Sequence, residues 1–250
     1  MAITQPGSSH PLRAGRTSAG AASIVRRAAR LASAFALASV ILGTASSWAA
    51  FVSLKEAELD AIFSQTSFGA SPIDVRYLPT ITHVDATLLN INNSTKLYSL
   101  FGQYNSSSIH HAYFVDTLDW CGTTNPAIVG CGYQPGNDFV VESISAAGVN
   151  GAELIAHELA HNLNLAHVTS GPPNLMNGSL NGSTALTASQ AATILSRPSV
   201  KTDASGRYVQ IQPVLIVASL PTVPEPSTAL LATAGYFCWV TRRRSRPGQR

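Results

Sequence analysis

The sequence predicts an α+β domain in which a small mixed sheet packs against a central helix and a second helix near the end of the domain. Three observations carry this. Short apolar or alternating runs of strand length recur at Ile73 to Leu78, Ala112 to Val115, Ile128 to Tyr133 and Phe139 to Ser143, too brief for helices and bounded by turn residues. Gly151 to Leu163 is a longer segment with no proline and no glycine after its first residue. Leu186 to Leu195 opens with the capping pattern Thr187-Ala188-Ser189-Gln190 and is stopped by Pro198, which reads as a helix with both ends marked.

Taken in order, Ser53-Leu54-Lys55-Glu56 has the form of a capping box and is expected to start an amphipathic helix through Phe63, with Leu59, Ile62 and Phe63 on its apolar side. Ser71-Pro72 breaks the chain before the first strand. From Val84 to Tyr104 the residues Leu88, Leu89, Leu97, Leu100 and Phe101 recur at near-helical spacing, but the Asn-rich stretch Asn90 to Ser94 interrupts them, so a broken or shortened helix is expected. His110 and His111 precede the next strand; they could be ligands, but adjacent histidines at a strand start read rather as exposed polar residues. Gln134-Pro135-Gly136 ends the Ile128 strand. Tyr208 to Val217 could form a further strand, although Pro213 argues for an edge strand or a linker over residues 201–222. No internal repeat is visible.

Both ends look like sorting segments. Arg13, Arg16, Arg26, Arg27 and Arg30 precede an apolar run from Leu31 to Gly43 and the small residues around Ser47-Trp48-Ala49-Ala50, the three parts of a secretory signal peptide over residues 1–49. That run falls short of the about 20 residues a transmembrane helix needs. The Arg26-Arg27 pair hints at twin-arginine export, but its flanks fit the general secretion route better. At the other end, Val223-Pro224-Glu225-Pro226-Ser227 leads into an apolar segment from Ala229 to Val240 and then Arg242, Arg243, Arg244 and Arg246. Residues 223–250 resemble a PEP-CTERM sorting signal, which implies an exosortase-type sorting enzyme as partner and transient membrane association through this segment; the alternative is an ordinary C-terminal membrane anchor. The arginines after the apolar run place the tail on the cytoplasmic side and the domain outside.

Charge follows the same division. The chain of 250 residues carries 16 Lys and Arg against 13 Asp and Glu. Five of the basic residues lie in each terminal segment, and Glu225 is the one acid there, so residues 50–222 keep six basic and twelve acidic residues, a charge of about −6. No basic stripe remains to neutralise phosphates, and nucleic acid is not expected as a partner. With Cys238 in the apolar tail, Cys121 and Cys131 are the cysteines left in the domain. In an oxidising compartment they could close a small loop. Free buried thiols are the alternative; a latency ligand to a metal fits poorly, since neither cysteine lies in a segment ahead of the domain.

The stretch with chemistry in it is Ala156-His157-Glu158-Leu159-Ala160-His161-Asn162-Leu163-Asn164-Leu165-Ala166-His167. On a helix His157 and His161 share a face one turn apart, so both imidazoles can hold one ion while Glu158 sits beside them. A catalytic zinc takes three protein ligands and keeps its fourth position for water. His167 can be the third only if the helix stops: carried on, it would place His167 roughly 9 Å further along the axis than His161. Asn164 is the residue suited to end it, because asparagine tolerates the left-handed conformation.

This pattern resembles the metzincin superfamily of zinc peptidases, His-Glu-x-x-His-x-x-Gly-x-x-His followed by a methionine-containing turn. His157, Glu158, His161 and His167 match position for position, Asn164 stands where the family has glycine, and Asn174-Leu175-Met176-Asn177 looks like the Met-turn, with Met176 as the apolar floor under the metal. The resemblance covers most of Phe51 to Val200, but its specific part is Ala156 to Met176. It implies a catalytic domain over residues 50–200 with a mainly parallel twisted sheet, one catalytic Zn2+, Glu158 as general base, and an edge strand beginning Ile128, Val129, Gly130 that holds a peptide or protein substrate as an added strand. The loop from Asn177 to Ala185 is expected to shape the specificity pocket. The expected function is thus an exported, surface-sorted zinc endopeptidase; the reading from another class is a surface or matrix protein that keeps the fold and no longer turns over.

Overall fold

The computed structural model describes residues 2–4, 50–104 and 106–220. All of the apolar sorting segments, and all but the first few residues of the expected signal peptide, lie outside the described residues. The chain divides into two compact units, Met1–Ala218 and Ser219–Arg250, and the account below concerns the first. Among the described residues no helix is long and apolar enough to cross a membrane.

In chain order the elements are β1 (Ala2–Thr4), α1 (Glu56–Phe63), β2 (Ile73–Tyr77), β3 (Ile81–Val84), β4 (Asn90–Ile91), α2 (Ser94–Phe101), β5 (His110–Val115), β6 (Thr117–Leu118), β7 (Ile128–Gly132), β8 (Asp138–Glu142), α3 (Ser143–Ala147), α4 (Gly151–Asn162), α5 (Ala188–Leu195), β9 (Lys201–Asp203) and β10 (Gly206–Val217), with short 3-10 turns at Thr66–Phe68 and Ala86–Leu88. The main sheet runs β1-β7-β8-β5-β10-β2, with β3 and β9 also paired to β10. β8, β5, β10, β2 and β3 are parallel, whereas β7 is antiparallel to β8 and β1 antiparallel to β7. The domain is therefore mixed α and β with a mostly parallel sheet. β4 and β6 form a separate pair.

Alternation along the strands sends side chains into two cores. Ala112 and Phe114 of β5, Phe139 and Val141 of β8, and Val209 and Ile211 of β10 join Leu59, Phe63, Leu154, Ile155, Leu159 and Ile194 from α1, α4 and α5. Tyr113, Val115, Val140, Val214 and Ile216 point the other way, onto Leu97, Leu100 and Phe101 of α2. A strand with helices on both faces is apolar on both, and β5 is buried along its whole length. Cys121 and Cys131 are joined as a disulfide with Cα atoms 5.8 Å apart, which ties β7 to the loop after β6.

Several expectations are corrected. Helix α1 lies where the periodicity puts it, but no Ser53 cap forms: the N-cap is Lys55 in the left-handed region (φ 52°), with no side-chain cap bond. The preceding chain is committed elsewhere, with Leu54 O accepting the Tyr77 hydroxyl at 2.5 Å and Phe51 N donating to Ser143 Oγ at 3.0 Å. The interruption at Asn90 to Ser94 is real, and Asn93, not a continuing helix, caps α2 through Lys96 N. His110 and His111 are buried, not exposed, because β5 is an inner strand flanked by β8 and β10.

The largest correction concerns the C-terminal side. Residues 206–217 are neither a linker nor an edge: β10 pairs with β5 on one side and with β2 and then β3 on the other. A proline inside such a strand costs a ladder bond unless its missing N–H faces a gap. Ile211 O accepts from Leu78 N and Val217 O from Asp85 N, so the odd positions of β10 bond toward β2 and β3. Pro213 consequently faces the break between those two strands, where Gln212 Nε2 donates to Pro79 O. The domain extends to Val217, beyond the boundary at residue 200 that the resemblance implied.

Candidate metal centre

Helix α4 spans Gly151–Asn162 and is buried along nearly its whole length. Its end has the geometry that a third histidine needs. Asn164 has φ 76°, Asn164 N donates to His161 O at 2.8 Å and Leu165 N to Ala160 O at 2.9 Å, the paired bonds of a Schellman ending. The chain turns back there, and Val168 N donates to Met176 O at 2.8 Å, fastening the segment after His167 to the methionine turn.

The result is a convergence of three imidazoles. The Nε2 atoms of His157, His161 and His167 lie 2.9, 3.0 and 3.1 Å from one another. His157 Nδ1 donates to Leu175 O at 2.6 Å and His161 Nδ1 to Leu165 O at 2.6 Å. A neutral imidazole has one N–H, so in these two rings Nε2 carries a bare lone pair, and the two lone pairs face each other at 2.9 Å. That is repulsive unless a cation sits between them. The residues fit such an ion: with bonds of about 2.0–2.1 Å, tetrahedral ligands stand roughly 3.3 Å apart, close to the spacings here, and the carbonyls that fix each tautomer are what oriented metal ligands require. The cluster could hold a metal ion.

Burial sets the charge state. Desolvation pushes His157 well below the ordinary histidine range, His161 down to about 3, and His167 down as well, so all three stay neutral and available as ligands. Glu158 is fully buried, neither carboxylate oxygen has a hydrogen-bond partner among the described residues, and desolvation pushes its pKa well above the ordinary carboxylate range. A buried carboxylate left unpaired is costly. It makes sense beside a cation and a water.

The other named residues fall as follows. Met176 is buried in the core that includes α4, and its N–H donates to Asn174 Oδ1 at 2.9 Å. Ile128, Val129 and Gly130 lie on β7, which is the edge of the sheet formed by residues 50–218 and here carries the short antiparallel β1 on its outer side. The loop after the methionine turn is held by Glu153, whose two oxygens accept from Asn181 N and Gly182 N at 2.8 and 2.9 Å.

Sequence reasoning missed several supports. Asn174 and Gln190 exchange reciprocal amide bonds at 2.9 and 3.0 Å, so the capping residue of α5 also braces the methionine turn. Asn162 donates to Tyr133 O and Asp138 O and accepts from His110 Nδ1 at 3.3 Å; burial takes the pKa of His110 down to about 4. His111 instead pairs with Asp138 at 3.0 Å. Neither histidine joins the triad.

Asn164 gives a direct check on the turn. Asn164→Gly is expected to keep or slightly raise metal affinity, because glycine enters positive φ freely. Asn164→Val would meet a steric penalty of about 1–2 kcal/mol or more and weaken metal affinity through His167. Equilibrium competition with a chromogenic chelator measures both; equal affinity for Val would show that the turn does not govern the third ligand.

No family model, curated protein or solved structure matches this chain.

Proposed function

We propose that this protein is an exported zinc-dependent endopeptidase. The observation that carries the reading is the convergence of three histidine Nε2 atoms to about 3 Å with the unpaired carboxylate of Glu158 on the same buried turn. His157, His161 and His167 would hold Zn2+, which when bound supplies a Lewis acid for the scissile carbonyl and brings the pKa of a bound water to about 7. Glu158 would accept a proton at its carboxylate beside that site and pass it to the leaving amine. The substrate would add as a strand to β7; the antiparallel register of Ala2–Thr4 on Ile128–Cys131 supports this by giving the pairing that such an edge accepts. The terminal segments would take the domain across the membrane and present residues 223–250 to an exosortase-type enzyme.

The test uses protein spanning residues 50–218. Metal analysis is expected to find close to one zinc per chain, and hydrolysis of an unfolded protein substrate should stop with a chelator and return with added zinc. A zinc-loaded protein that cleaves nothing in a broad peptide library would instead support the matrix-protein reading.

A further inference from the structure

Two glycines on β7, Gly130 and Gly132, face α4. A Cβ on Gly130 would overlap Glu158 Oε1 outright and come within 2.7 Å of Leu154 Cδ1 and 2.9 Å of Glu158 Cδ. A Cβ on Gly132 would stand 2.9 Å from the Glu158 backbone carbonyl and 3.1 Å from Oε2. Neither glycine is needed for its backbone conformation, as neither has positive φ. What they supply is space, and the same carboxylate fills it at both.

The strand is shaped for this. Its register with β1 passes from Ile3 opposite Gly130 to Thr4 opposite Ile128, so β7 carries an extra residue at Val129. A bulge re-aims the residues beside it, and Gly130 and Gly132 accordingly present one bare backbone face to the helix. Glycine in a strand otherwise weakens it and marks close approach of another group. Here the approaching group is the base.

We propose that Gly130 and Gly132 are positioning residues that let the Glu158 carboxylate lie flat against the substrate-edge strand, within reach of both the metal site and a strand added to β7. The proposal rests on the peptidase reading for its catalytic meaning, but the placement of the carboxylate can be read without turnover. Gly132 fixes the distance of the helix backbone from the strand. Gly130 fixes where the carboxylate rests.

The experiment compares wild type, Gly130→Ala, Glu158→Asp and the double variant. Gly130→Ala is expected to keep one metal per chain and lower kcat about 100-fold, the scale of a displaced general base, with KM within about threefold. A crystal structure of the metal-loaded protein gives the second readout: the Glu158 carboxylate should be displaced from β7 in Gly130→Ala. Shortening the base by one methylene relieves the overlap, so the carboxylate of the double variant should lie against β7 again and its kcat should exceed that of Gly130→Ala. Unchanged kcat and carboxylate position in metal-loaded Gly130→Ala would overturn the proposal. So would a loss of metal or fold repaired by Leu154→Val and not by Glu158→Asp, which would assign the glycine to packing. If the wild type cleaves no peptide, the peptidase reading falls alone, and the carboxylate positions in the crystal structures still decide the placement.

Discussion

Glu158→Gln is expected to retain the metal and lose peptidase activity by about 10²–10⁴-fold, the contribution of a positioned general base. The amide has nearly the same shape but cannot take a proton from water. The ligand set is untouched, because the cluster consists of His157, His161 and His167. Thermal stability gives an independent arm. Glu158 is fully buried and its oxygens have no hydrogen-bond partner among the described residues, so replacing the ionisable group removes a desolvation cost without leaving a cavity, and the melting temperature should hold or rise. Activity lost together with stability would mean that the residue serves the fold. Turnover retained at the parent level would point to another base.

A chain ended at Val200 is expected to be unfolded, while one ended at Ala218 folds. The effect comes from β10, where Val209, Ile211, Val214 and Ile216 are fully buried. At about 1.5–3 kcal/mol for each buried apolar side chain, these four residues alone contribute an amount comparable to the whole stability of a typical domain, about 5–15 kcal/mol. The cut would also strip β5, β2 and β3 of a shared partner and leave their backbone groups unpaired. Circular dichroism and metal content of the two chains decide it. A folded, metal-binding chain ended at Val200 would show that β10 is dispensable.

Much of the site could be read from residues 156–176, because a metal site made largely from one helix and the turn after it depends on local spacing. His157, His161 and the turn at Asn164 follow from helix geometry alone. The parts that could not be read are those set by distant segments. Leu175 O, which orients His157, lies 18 residues away, and Gln190, legible as a cap, gives no local sign of its bond to Asn174. The fold shows the same division. Strand positions followed from alternation, but the order of strands did not, and Pro213 was misleading because its tolerance depends on a gap between β2 and β3 that no local pattern announces. Ser53 failed as a cap because tertiary bonds to Ser143 and Tyr77 override the local signal.

The last strand of the domain is an inner strand of its sheet, between β5 and the β2 and β3 side. A chain emerging from its N-terminal end therefore holds β2 and β3 apart from β5 and β8 until residues 206–217 arrive to join them. The contacts that close the sheet span more than a hundred residues of sequence, from Ile73 to Arg207, and such long-range pairings form late and slowly. The ladder between β5 and the β2 and β3 side of the sheet exists only when the final strand is inserted. Timing of assembly is thus written into strand order, and the sheet against which α4 packs is closed only once residues 206–217 join it.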